Sequence, residues 1–231
     1  VFGHQAAKCL TSGACNLVMG QKTACCLTSG RDNVFLGTYT AHCASGGCDN
    51  IAIGSHAGRG LASTCYNVIL GRCAGYGCNG STFSSYDCNV VIGHAAAACA
   101  RSGSTNVMIG HYTGFCHRSG HGNTQIGCAA GKCNLCGCYN TYLGAATGCQ
   151  NNNGNYNVAI GNGATLADNS GSCQLVIAYN SSNYWLRGDN SKNIQPGAGI
   201  KDCTGVVGSS GQVLQSTGSA IVWANAGGGG G

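Results

Sequence analysis

The chain has 231 residues and a formal charge of +5, and only 7% of it is charged, where about a quarter is usual. Its five lysines and six arginines are scattered without a run, so no basic footprint for nucleic acid is present. No apolar stretch approaches the ~18 residues of a membrane span. With 41 glycines, one proline, no glutamate and few helix formers, a helical fold is disfavoured, and glycine does not recur at every third position as collagen requires.

Read from the N-terminus, one phrase returns along most of the chain. It ends in Gly3, Gly20, Gly37, Gly54, Gly71, Gly93, Gly110, Gly127, Gly144 and Gly161, with Ala178 in the same column. Each step is 17 residues except the 22 from Gly71 to Gly93, where "CNGSTFSSYDC" carries five extra residues. Four residues before the glycine stands an asparagine: Asn16, Asn33, Asn50, Asn67, Asn89, Asn106, Asn123, Asn140 and Asn157, then Gln174. Between asparagine and glycine lie three mostly apolar residues. Three residues after the glycine the chain is always small, as at Ala6, Thr23, Ala57 and Ala74. A second glycine column (Gly13, Gly30, Gly47, Gly103) reads as a turn.

A fixed period with one short apolar strand per repeat predicts an all-β, parallel β-solenoid of 17-residue coils. Residues 1–182 supply about eleven coils, enlarged over 72–92. The asparagines are expected to stack as a hydrogen-bonded ladder. The apolar triplets are continuous instead of alternating, which predicts burial on both faces of the strand. One face fills the coil's own core, and the other requires a partner, most simply further copies of this chain. In this reading Val91 and Val176 point opposite to their apolar neighbours, and Gln125 and Tyr142, at that middle position, are expected to loosen the outer contact.

The phrase N-x-[VA]-[IL]-G-x-x-[AST], as in "NIAIGSHAG", "NVVIGHAAA" and "NVAIGNGAT", resembles the head repeat of YadA-type trimeric autotransporter adhesins. Similar phrases occur in phage tail-fibre and virion proteins. The resemblance implies a β-roll with three chains about a common fibre axis, the apolar strand facing inward. The adhesin repeat is usually shorter than this one and is not cysteine-rich. The tail "GVVGSSGQVLQSTGSAIVWANAGGGGG" looks like a G-Q-V-L-x-S-T-G-x-x-[IV]-x-W segment of phage fibres, which favours that context. Residues 183–231 are expected to cap the solenoid or link it onward, with Trp185 and Trp223 as anchors and a glycine-rich end. The sequence also reads as part of a longer polypeptide.

Nineteen cysteines favour an oxidising setting outside the cell or on a virion surface, and the odd count leaves one thiol free or bonded to another chain. Column positions predict loop-closing disulfides Cys9–Cys15, Cys43–Cys48, Cys133–Cys138 and, across the insertion, Cys78–Cys88. Cys99 and Cys116, neighbours in one column, predict a bond along the axis or between chains. Two clusters raise a metal alternative, "CAAGKCNLCGC" and "HYTGFCHRSGH". Cysteines spread over ten coils argue for a scaffold instead, and no metal or cofactor is expected.

The six aspartates form no evident carboxylate pair, and no nucleophile elbow or phosphate loop is present, so an enzyme is not expected. Two readings follow. In one the chain is the structural shaft of an extracellular or phage fibre, a homotrimer that could also polymerise end to end. In the other it is an adhesive module that contacts a host receptor or glycan through its loops, with Phe83 and Tyr86 of the insertion as the contact.

Overall fold

A computed structural model describes residues 1–77 and 85–226. Ten three- or four-residue strands form the repeat: β1 (Leu17–Met19), β2 (Val34–Leu36), β3 (Ile51–Ile53), β4 (Val68–Leu70), β5 (Val90–Ile92), β6 (Val107–Ile109), β7 (Thr124–Ile126), β8 (Thr141–Leu143), β9 (Val158–Ile160) and β10 (Leu175–Ala178). Each pairs in parallel with the next and in register, Val18 opposite Phe35 and Val91 opposite Met108. The result is a parallel β-solenoid of about nine turns, with no helix among the described residues. At the N-terminal end of the predicted eleven, the Gly3 phrase contributes only a parallel bridge from Phe2 to Met19.

The strands read outward, inward, outward. Val18, Ile69, Val91, Met108 and Ala159 have no exposed surface. Their flanking neighbours are half-buried or exposed. The middle residue therefore fills the coil, which corrects the expectation for Gln125 and Tyr142: both are fully buried in the core and touch no outer contact.

Left-handed backbone at fixed places closes each coil: Asp32, Tyr39 and Ala41 have φ of 57°, 56° and 48°, and their column partners repeat the pattern. The repeat glycine is required by contact as well as conformation. Gly71 has φ of 126°, and a Cβ there would stand 2.7 Å from the carbonyl oxygen of Gly93 on the next coil. Core volume is balanced within a coil: the Tyr142 ring occupies the space a Cβ on Gly148 would need. Ala24, Ala57, Ala74 and Ala130 line the same narrow interior.

The core changes character along its length. One apolar cluster runs from Ala6 to Met108 and a second from Ala130 to Ala178. Between them lie buried His117, Gln125 and Asn134. Asn151 donates to the Tyr142 hydroxyl at 2.6 Å, while the Gln125 amide has no hydrogen-bond partner.

Past β10 the chain leaves the period. Strand β11 (Tyr184–Gly188) pairs antiparallel with β10, and β12 (Ile194–Pro196) pairs with β11, extending the sheet to twelve strands. A separate hairpin joins β13 (Gln212–Ser216) to β14 (Ile221–Asn225). The Trp223 indole N–H donates to the Ile200 carbonyl at 2.9 Å, whereas Trp185 is 70% exposed.

Candidate functional site

The asparagine column sets the register of the stack. From Asn16 to Asn123 each asparagine Oδ1 accepts from the next asparagine's backbone N–H and from its side-chain amide, as Asn106 does from Asn123 at 3.0 Å in both bonds, and Asn140 and Asn157 accept the backbone N–H alone. The amide also donates forward to a turn carbonyl, Asn106 to Gly120 at 3.0 Å. At the enlarged coil the pattern adjusts, and Asn67 donates to the Cys65 carbonyl of its own coil. Threonines in the small column add a further tie: the hydroxyls of Thr23, Thr40, Thr113 and Thr147 donate to the glycine carbonyl of the next coil. Every buried side-chain amide in the ladder is thereby satisfied inside the protein, as burial demands.

This ladder holds two outward files of side chains on one flat face. The first runs Leu17, Val34, Ile51, Val68, Val90, Val107, Thr124, Thr141, Val158, Leu175. The second, from Met19 to Ile177, is apolar at every rung. Ile51, Ile53 and Ile126 are 38%, 40% and 38% exposed. At a rung spacing of about 4.8 Å the strip is roughly 45 Å long, larger than the apolar patches a monomer ordinarily leaves bare. The outer face of the strand, expected to be the middle residue of each triplet, is instead formed by the first and third residues, which stay half-buried or exposed in the single chain.

The predicted disulfides are not formed. Cys9, Cys15, Cys43, Cys48, Cys88, Cys116, Cys133 and Cys138 are all free thiols, and so are nine other described cysteines. Cys99 is disulfide-bonded, but not to Cys116. Cys78 lies outside the described residues. Two physical reasons account for the difference. Within a coil the chain turns inward between the two cysteines of a predicted pair, seating Ala44 between Cys43 and Cys48 and Asn134 between Cys133 and Cys138 in the interior. Between coils the in-register stack aims successive Cβ atoms in the same direction, whereas a disulfide needs them convergent. Burial pushes the thiols of Cys43, Cys65, Cys116 and Cys149 above their ordinary value. Burial, and then the hydrogen-bonding neighbour Cys26, push Cys25 up to about 11. These are protonated thiols at neutral pH, unlike the thiolate of a nucleophile.

The other proposed contacts move too. Tyr86, expected at the surface, is fully buried in the turn column that most coils fill with glycine, and burial raises its pKa. Phe83 lies outside the described residues. His117, from the second candidate metal cluster, is enclosed with its ring nitrogens 3.1 Å and 2.9 Å from the carbonyls of Asn134 and Gly120, and burial lowers its pKa. Beyond the solenoid, the Asp189 carboxylate accepts from Asn193, which holds its pKa low. Among the described residues no helix is long and apolar enough to cross a membrane. No family model, curated protein or solved structure matches the chain.

Proposed function

We propose that this chain is the shaft subunit of a fibre outside the cell or on a virion surface, in which three copies pack through the outward apolar files. The observation that carries the reading is the flat strip from Leu17 and Met19 to Leu175 and Ile177, nearly all apolar and facing solvent in the single chain. Burying such side chains is worth about 25 cal/mol per Å², and identical chains present identical strips, so self-association is the simplest cover. The fibre-like repeat phrase supports the same reading. Its role is mechanical: the stacked coils resist bending and set a length. The adhesive reading keeps no favouring observation, because Tyr86 is inside the core.

The test is native mass spectrometry of the chain in reductant, so that only non-covalent assembly is seen. A trimer supports the reading. A monomer at micromolar concentration overturns it.

A further inference from the structure

Neighbouring coils place four residues with metal-binding side chains side by side. Cys25 and His42 are 17 residues apart and share one column, and Cys26 and Cys43 share the next. Among the described residues, Cys25, Cys26 and His42 are the one group of three whose ligating atoms converge, all within 4.8 Å of one another. The two sulfurs are 3.7 Å apart. A tetrahedral zinc ion with bonds of about 2.3 Å to sulfur needs a sulfur–sulfur edge of about 3.8 Å. Cys43 Sγ lies 3.8 Å from His42 Nδ1, beside that group but outside the convergent three.

We propose that this corner binds one zinc-class divalent cation, through the converged thiolates of Cys25 and Cys26 and the imidazole of His42, with the Cys43 thiolate turning in as the fourth ligand. Three thiolates and one imidazole form a closed tetrahedral set for such a borderline-soft ion, while calcium and magnesium prefer oxygen. On binding, each thiol gives its proton to solvent and its sulfur lone pair to the metal, and neutral His42 donates a ring nitrogen.

The surroundings suit that occupant. The metal with three thiolates carries one net negative charge, and Lys22 and Arg59 are the cations that act on His42. Lys22 also lies over the Tyr39 ring, which is 5.3 Å from the His42 ring. The backbone of the corner is fixed on both sides: Cys9 N–H donates to the Cys25 carbonyl at 3.1 Å, and Cys43 N–H to the Arg59 carbonyl at 3.1 Å. Cys26 N–H donates across the two coils to the His42 carbonyl at 3.4 Å. The cation would join coils that are otherwise held by hydrogen bonds, and the inference does not depend on the fibre reading.

The purified chain, kept reduced with a phosphine, is titrated with zinc against a competing chromophoric chelator, and with cobalt(II) as a spectroscopic probe. The expected result is one tight equivalent, with thiolate-to-cobalt charge-transfer absorption. The double variant Cys25→Ser/Cys26→Ser and the single variant His42→Asn each weaken that equivalent by about 100-fold or more. Cys43→Ser lowers the charge-transfer intensity. Cys136→Ser/Cys138→Ser, elsewhere on the solenoid, leaves both signals unchanged. Melting curves without metal confirm that the variants fold, and His42→Asn tests the site even if the double cysteine variant does not. A wild-type chain with no tight equivalent, or variants that retain it, would overturn the assignment.

Discussion

Asn50 donates both its backbone N–H and its side-chain amide to the one Oδ1 of Asn33, each at 3.0 Å, and passes the same arrangement to Asn67 on the next coil. A single residue type thereby ties strand register to side-chain register. The ladder has direction, since each member accepts from the coil ahead and donates to the coil behind. Its failure at one rung leaves donors without acceptors on the neighbouring one.

Asn106→Ala tests this. It removes the acceptor of two Asn123 donors and the amide that reaches Gly120, all buried. A loss of roughly 3–5 kcal/mol is expected from the unsatisfied groups. Because a solenoid's stability is a sum over neighbouring repeats, the loss should be local. Amide hydrogen exchange at Asn123 and its flanking coils is the measurement; uniform protection would contradict it.

Gln125 gives the opposite sign. Its buried amide meets Gly114 and Gly131 but has no hydrogen-bond partner at either atom. Gln125→Leu removes an uncompensated polar group at similar volume and should stabilise the chain by about 1–3 kcal/mol. Thermal melting of the two proteins side by side decides the matter, and a lower melting temperature in the variant would refute the claim.

Gly71→Ala sets a Cβ against the Gly93 backbone at a φ only glycine adopts easily. A backbone atom one coil away cannot rotate aside. We expect a cost of roughly 2–4 kcal/mol.

Acid should loosen the middle of the stack. Burial holds the His117 imidazole below its ordinary 6.5, although two backbone carbonyls beside it pull the other way. Above about pH 6.5 the ring is neutral in both folded and unfolded chains, and its contribution is fully present. Below that the unfolded chain binds a proton that the folded chain does not, so stability falls by up to about 1.4 kcal/mol per pH unit until the folded value is reached. His42 and His56 are shifted in the same direction and form the background. His117→Asn, the residue that column carries at Asn134 and Asn151, should reduce the drop in melting temperature between pH 7 and pH 5. An unchanged drop would exclude His117 as its source.

The outward files make a separate prediction. Ile51→Lys with Ile53→Lys places two charges on the exposed face without touching Ala52, which fills the core between them. The assembled mass should fall to that of one chain, while the circular dichroism of the single solenoid stays the same. A variant that still assembles would locate the contact elsewhere.

The period, the strand in each coil, the asparagine ladder and the small interior were all legible in the sequence. These are local or strictly repeated properties: a 17-residue spacing puts Asn33 over Asn16 whatever the coil's exact shape. An apolar residue on each side of the strand at most rungs was legible as well. Which residue of the triplet points inward emerged from the folded chain, because Val90, Val91 and Ile92 are all apolar and strand alternation alone does not say which face the chain wraps around. The cysteines show the same division. Their columns were legible, but whether two thiols meet depends on where the Cβ vectors aim. In-register stacking kept Cys43 over Cys26 without a bond, and brought Cys25, Cys26 and His42 together at a corner that spacing did not reveal.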